Sequence, residues 1–433
     1  MKRPKQTGTL SPRDPYRTTR FLYLLEAAFE YFINLLLTGA YIAKVAGAIG
    51  LSDSTVGIVT SIVSLGTSFQ FFAIFLSHKS PVKRWVTLFH VINQLLLSCV
   101  WLTPLFPMEK TGKTVLFIAF LLVGYAINHV INSPKINWFM STSVPDESRG
   151  RFTAKKEMVS LIGGSVFTYI MGNVFDRFEA RGEQKTAFLI GAVTMLGLAA
   201  LHTLTLVLSK EKPVEKQPAI EPKRELSSLL HNRKLMAVVL IGMLYSIANG
   251  ISYSFFGTYQ VNELGFSMSF IAIINVAHTV VRCVCAVILG KYADRHSFSS
   301  MLLWSFGMLL AGELVMVFTV PANGRIFYPL FFALFYAVFG AGYGNGVMNL
   351  SYDTVPKEQR VSAFALYNCA SGIVGFLASI PGSLIVKAVQ KNGNQVFGHT
   401  VYAQQLLALI SAVLTAVLWL ILFRVFPKEK KNA

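Results

Sequence analysis

The chain has 433 residues, 53% of them apolar and only 14% charged, about half the charged share of an ordinary soluble domain. Water is therefore not its main solvent, and a soluble nucleic-acid-binding domain is excluded despite a net charge of +18. The apolar residues fall in blocks of about 18 to 28, long enough to cross a hydrocarbon core as helices, and helix is forced because unpaired backbone groups are costly in lipid.

Twelve spans are predicted, at 21–49, 55–77, 85–106, 114–142, 157–175, 186–208, 235–262, 267–290, 300–320, 326–350, 361–387 and 401–425. A basic segment precedes the first, but Glu26 and Glu30 break what would be the apolar core of a signal peptide, so the span reads as a retained helix. Helical periodicity gathers Tyr23, Glu26, Glu30, Asn34 and Tyr41 on one of its faces. The loop after the second span reads Ser77-His78-Lys79-Ser80-Pro81. Gly112-Lys113-Thr114 resembles the end of a phosphate-binding loop, yet Pro107 stands where the first glycine is required. The fourth span gathers Asn128, Asn132 and Lys135, and Val144-Pro145-Asp146-Glu147-Ser148-Arg149 follows it. The fifth contains Gly163, Gly164 and Gly172, small residues that let helices approach closely.

Residues 209–234 turn polar, with Pro213, Pro218 and Pro222 among Lys and Glu, and read as a linker between halves 1–208 and 235–433. The seventh span gathers Tyr245, Asn249, Ser252 and Gln260, with Tyr253 on the edge. The eighth carries His278 and Arg282 one turn apart and leads into Gly290-Lys291-Tyr292-Ala293-Asp294-Arg295; the ninth carries Glu313. The tenth gathers Asn345, Asn349 and Tyr352, and Val355-Pro356-Lys357-Glu358-Gln359-Arg360 follows. Cys99, Cys283, Cys285 and Cys369 all lie inside spans, which argues against a secreted disulfide framework. With neither an H-E-x-x-H nor a G-x-S-x-G motif, the chain is not expected to be an enzyme, and no cofactor or metal is expected.

An even number of spans puts both termini on one side. The segments on that side are the basic ones, with seven Lys or Arg from Lys210 to Lys234 alone, so the termini and linker are expected in the cytoplasm and the protein in the plasma membrane. The loops after the fourth and tenth spans share V-P-x-E-x-R at an offset of 211, where Ser160 also matches Ser371 and Gly164 matches Gly375. Near the first and seventh spans the offset is 215, matching Asn34 with Asn249, Gly50 with Gly265 and Ser52 with Ser267. The expected fold is an all-α integral membrane protein, with twelve transmembrane helices in two pseudo-symmetric six-helix bundles.

With six plus six spans, a polar central loop, related loops after the fourth and tenth spans, and a G-x-x-x-D-R string after the eighth, the chain resembles the major facilitator superfamily over essentially its whole length. The resemblance implies secondary transport by alternating access. It places Asp294 near cytoplasmic helix ends, closing that face against the fifth helix near Lys155 and Lys156. Asp294 and Arg295, with Arg149 and Arg360 of the repeated loops, are the candidate gating residues. The resemblance also implies that the first, fourth, seventh and tenth helices line a central cavity, and these are the helices with polar stripes. The family's first-half copy of the loop motif is missing from Ser77 to Pro81, and the fifth span lacks the Gly-Pro pattern of drug antiporters.

Asn34, Asn128, Asn132, Tyr245, Asn249, Ser252, Asn345 and Asn349 are the expected solute-binding residues, with hydrogen bonding between helices as the competing reading of each. Counted from the cytoplasmic ends, Glu30 lies about 15 Å deep and Lys135 about 12 Å. Glu26 or Glu30 is therefore expected to pair with Lys135 and couple a proton, with His278 the next candidate; a His278 to Glu313 contact is an alternative for that histidine. Such stripes suit a small neutral polar solute such as a sugar, while Lys135 and Arg282 would suit an organic anion. Efflux of lipophilic compounds and a non-transporting receptor on the same fold stand as alternatives. The expected partners are the solute, a proton and the lipid bilayer, with no nucleic acid, and the chain is expected to act as a monomer.

Overall fold

A computed structural model of the chain describes residues 14–72, 76, 81–144, 149–211, 222–356 and 359–425. Residues 77–80, 145–148 and 357–358, with Pro213 and Pro218, lie outside the described residues, as do the side chains of Arg149, Asp294 and Asn345. Among the described residues, 11 helices are long and apolar enough to cross a bilayer, and a bent pair supplies a twelfth span. In chain order these are α1 (the pair Arg17–Leu36 and Gly39–Ala48), α2 (Asp53–Phe72), α3 (Lys83–Leu105), α4 (Lys110–Ser143), α5 (Arg149–Ala180) and α6 (Gln184–Leu208). The second six are α7 (Arg233–Glu263), α8 (Met268–Arg295), α9 (Phe298–Val317), α10 (Gly324–Asp353), α11 (Arg360–Lys391) and α12 (Ala403–Val425). A short amphipathic helix, Pro222–His231, leads into α7. With twelve spans, both ends of the described chain lie on one side, called here the terminal side.

The spans keep the predicted order, but α5 outruns its predicted 157–175 at both ends. Charged residues stop the apolar run without stopping the helix, since long side chains reach past the hydrocarbon edge while the backbone stays paired. α3, α6, α9 and α12 turn apolar faces outward, including Leu88, Ile92, Val193, Leu204, Trp304, Leu314, Val417 and Leu420. Such bands would drive aggregation in water and are the natural contact with lipid.

Within each half the helices pack alike: α1 lies on α5 and α6, and α7 lies on α11 and α12. Across the halves α2 packs on α11 and α5 on α8, the two contacts that a two-fold axis exchanges. The repeated residues occupy equivalent places. Gly50 and Gly265 both take left-handed φ, +84° and +64°, and the serines two residues later, Ser52 and Ser267, cap α2 and α8 by accepting from Thr55 N and Phe270 N. Backbone carbonyls of Asn34 and Asn249 each accept the N–H that closes a helical segment, from Leu37 and from Tyr253. There α1 bends by 47° and α7 passes through a 3₁₀ turn at Tyr253–Phe255. Gly164 lets α5 approach Tyr31 of α1, and Gly375 lets α11 approach α7, where a Cβ on Gly250 would fall 2.2 Å from the Gly375 carbonyl oxygen.

Candidate functional site

α1 and α4 meet through charge. Glu26 and Glu30 stand one helical turn apart on α1, where two carboxylates repel unless a cation joins them. Lys135 of α4 does so: its Nζ lies 2.7 Å from Glu26 Oε1 and 2.8 Å from Glu30 Oε2. Pro134, just before it, has no N–H to give the carbonyl one turn back, which leaves one backbone bond of the continuous helix α4 unmade next to the cation. The side chains of Lys135 and Glu26 are each 1% exposed, whereas that of Glu30 is 22% exposed. Glu30 is thus the member of the triad that water or a solute can reach.

Behind Glu26 the site continues into residues the sequence reading passed over. His202 of α6 places Nε2 3.0 Å from Glu26 Oε1, and the His90 ring of α3 stands 4.1 Å from the His202 ring at 73°. Both histidines are buried. Among the described residues neither ring nitrogen of His90 has a hydrogen-bond partner, nor has His202 Nδ1. Next to His90 on α3, Gln94 donates to Asn93 Oδ1 at 2.8 Å while its own Oε1 is unpartnered. The sequence signal for the two histidines is one such residue inside an apolar run on each of two spans, the third and the sixth, neither of which is among the four expected to line the cavity.

The family's sequence profile, described as the Major Facilitator Superfamily, matches residues 21–379 and again 240–433. The chain belongs to the major facilitator superfamily. No curated protein matches it in sequence. Among solved structures, a point mutant of the nucleoside transporter NupG is similar at a TM-score of 0.72 and 14% identity, covering 94% of this chain and 100% of that one. A D-xylose–proton symporter is similar at 0.70 and 13%, covering 95% and 98%. A bacterial homologue of the human lysosomal transporter Spinster, in an inward-facing and unoccupied conformation, is similar at 0.64 and 14%, covering 97% and 100%.

In this major facilitator chain the other candidate residues separate into groups. Asn128 is buried and Asn132 half-buried on the same α4 face as Lys135, and Asn34 and Asn349 are half-buried. Tyr245 belongs to an aromatic wall, 4.4 Å from Tyr343 and 5.1 Å from Phe339, and the Tyr343 hydroxyl meets that of Tyr367 at 2.5 Å. Asn249 keeps a buried Oδ1 with no hydrogen-bond partner among the described residues. Ser252 turns back on its own helix and donates to Ala248 O, and Tyr41 donates to Thr168 O of α5.

His278 is not part of the acid–lysine cluster. It lies in the other half, its ring against Phe332 and Tyr336 of α10. Nor does it pair with Glu313 among the described residues: Glu313 accepts from Ser411 of α12 at 2.5 Å on Oε1, and neither its Oε2 nor His278 Nε2 has a hydrogen-bond partner there. Arg295 is exposed, and Arg360 places its guanidinium 5.3 Å above the Tyr352 ring. Lys156 sits 5.0 Å over the Tyr23 ring of α1 within its own half.

Away from the terminal side the halves are tied together. Asp53 accepts from Asn262 at 2.7 Å and from Gln390 at 2.9 Å. Asp176 of α5 accepts the first two free amides of α8, Met268 N and Ser269 N, both at 2.8 Å. At the bends, a Cβ on Gly257 of α7 would lie 2.6 Å from the Gly39 carbonyl oxygen of α1. The far side is closed in this conformation. Nearer the terminal side, Gln70 of α2 accepts from Asn368 of α11 at 2.7 Å and donates to Ser133 of α4 at 2.8 Å, a bridge that starts two residues from Lys135 and ends in the other half.

Proposed function

We propose that the chain is a proton-coupled secondary transporter of a small, hydroxyl-bearing polar solute. Residues 1–208 and 235–433 rock about a site near the bilayer midplane, joined by the 209–234 linker. The termini and linker face the cytoplasm of a plasma-membrane protein that works as a monomer. The observation that carries this reading is Lys135 held between a buried and a partly exposed carboxylate. An intramembrane ion pair of this kind is costly to build, and its charges are held by one another, so a solute or proton that takes one partner changes the state of the rest. The Gln70 bridge supplies contacts through which α4 can feel the position of α11. Two of the similar structures, a nucleoside transporter and a D-xylose–proton symporter, handle hydroxyl-bearing solutes, and one is named for its proton.

Uptake into proteoliposomes, over a panel of sugars, nucleosides and organic anions with and without an imposed pH gradient, tests the reading. Accumulation of a hydroxylated solute under the gradient supports it; uptake restricted to lipophilic cations would replace it with efflux, which the aromatic wall around Tyr245 favours as the second reading.

A further inference from the structure

The acid–lysine cluster is short of one positive charge. Lys135 serves two carboxylates, so the group of Glu26, Glu30 and Lys135 carries a net negative charge while its histidines are neutral. Glu30, 22% exposed, can be hydrated, but Glu26, 1% exposed, cannot. Any movement that leaves Lys135 with Glu30, or gives it to a solute, strands Glu26 as an unpaired buried charge, which is strongly disfavoured. The groups facing His202 are Glu26 and Glu30 from α1, His90 from α3 and Lys135 from α4; α5, also packed on α6, gives it no hydrogen bond or ion pair among the described residues.

Hydrogen bookkeeping fixes what His202 can do. An ionised carboxylate only accepts, so the 3.0 Å contact puts a hydrogen on His202 Nε2. Among the described residues His202 Nδ1 is then a buried lone pair with no donor, beside an imidazole with no partner on either nitrogen. We propose that His202, with His90 behind it, is the second counter-ion of Glu26 and holds the coupling proton whenever Lys135 is drawn away. This rests on the proton-coupled reading above. In that step one proton adds to Nδ1, one N–H bond forms and none breaks, and the cluster of Glu26, Glu30, Lys135 and His202 goes from net negative to neutral. The adjoining His90 ring is the acceptor available to the new Nδ1–H, directly or through a water.

Isotope-edited nitrogen NMR on the full-length protein in nanodiscs, with the His202 signals identified by their loss in His202→Gln, reads the protonation state without any solute. In Lys135→Gln, which fixes the lysine-withdrawn condition, His202 is expected to carry a proton on both ring nitrogens, and Glu26→Gln added to that background should return it to the singly protonated form. A neutral His202 in Lys135→Gln, or one indifferent to Glu26, overturns the proposal. Should Lys135→Gln not fold, Glu26→Gln alone decides: it should lower the proton affinity of His202, and an unchanged titration counts against the proposal. A failure of proton-driven transport would show separately, as uptake by the unmodified protein that ignores a pH gradient.

Discussion

At the scale of single residues, the three members of the ion-pair cluster differ in what their loss leaves behind. Lys135→Met strands two carboxylates, one of them fully buried, and should cost about 3–5 kcal/mol of stability, as breaking buried pairs does. Glu26→Gln leaves Lys135 its bond to Glu30 and should cost less, and Glu30→Gln least, because that side chain already touches water. Thermal unfolding in detergent should give that order, and the double variant Glu26→Gln/Lys135→Met should be more stable than Lys135→Met alone; equal losses for all three would mean the cluster is solvated. The pairing of α1 with α4 was legible in the sequence because helical rise converts position into depth, and equal depths on polar faces must meet. His90 and His202 were not, since the helices that carry them turn apolar faces to lipid and nothing in one chain's pattern says that their opposite faces converge behind Glu26.

At the scale of elements, the far-side closure rests on contacts a helix end can make in only one arrangement. Asp176 caps the N-terminus of α8 from the other half, a charge-assisted bond to two amides that no residue of α8 itself replaces. Asp176→Ala should remove about 1 kcal/mol from the far-side-closed state, raising the far-side-open population several-fold. Gly257→Val should do more, because its Cβ would collide with the Gly39 backbone. Distances between spin labels on the far ends of α1 and α7 should lengthen in both variants, and unchanged distances would mean that these contacts do not set the conformational balance. The turns at Gly50 and Gly265 could be matched from sequence because left-handed φ and serine capping leave local residue signatures. The α5–α8 and α2–α11 packing leaves none, because its polar contacts, Asp176 on the α8 amides and Gln70 with Asn368, join residues of unrelated sequence position that carry no shared local pattern.

At the scale of the whole molecule, the basic residues of the terminal side predict its orientation. A cysteine placed in the 209–234 linker should be labelled only from the cytoplasmic side, and labelling from outside would invert the proposed direction of every step. The ion-pair cluster then lies between a closed far side and the terminal side, with the Gln70 bridge joining its helix to the opposite half. Coupling is a property of this whole arrangement, because protonation matters only if it changes which side can open. The decisive measurement is a comparison of pH-gradient-driven accumulation with solute exchange in proteoliposomes for Glu26→Gln, Glu30→Gln and Lys135→Met. The account predicts that each variant loses accumulation and that at least one still exchanges solute across the membrane. Accumulation retained by all three under a pH gradient would contradict it.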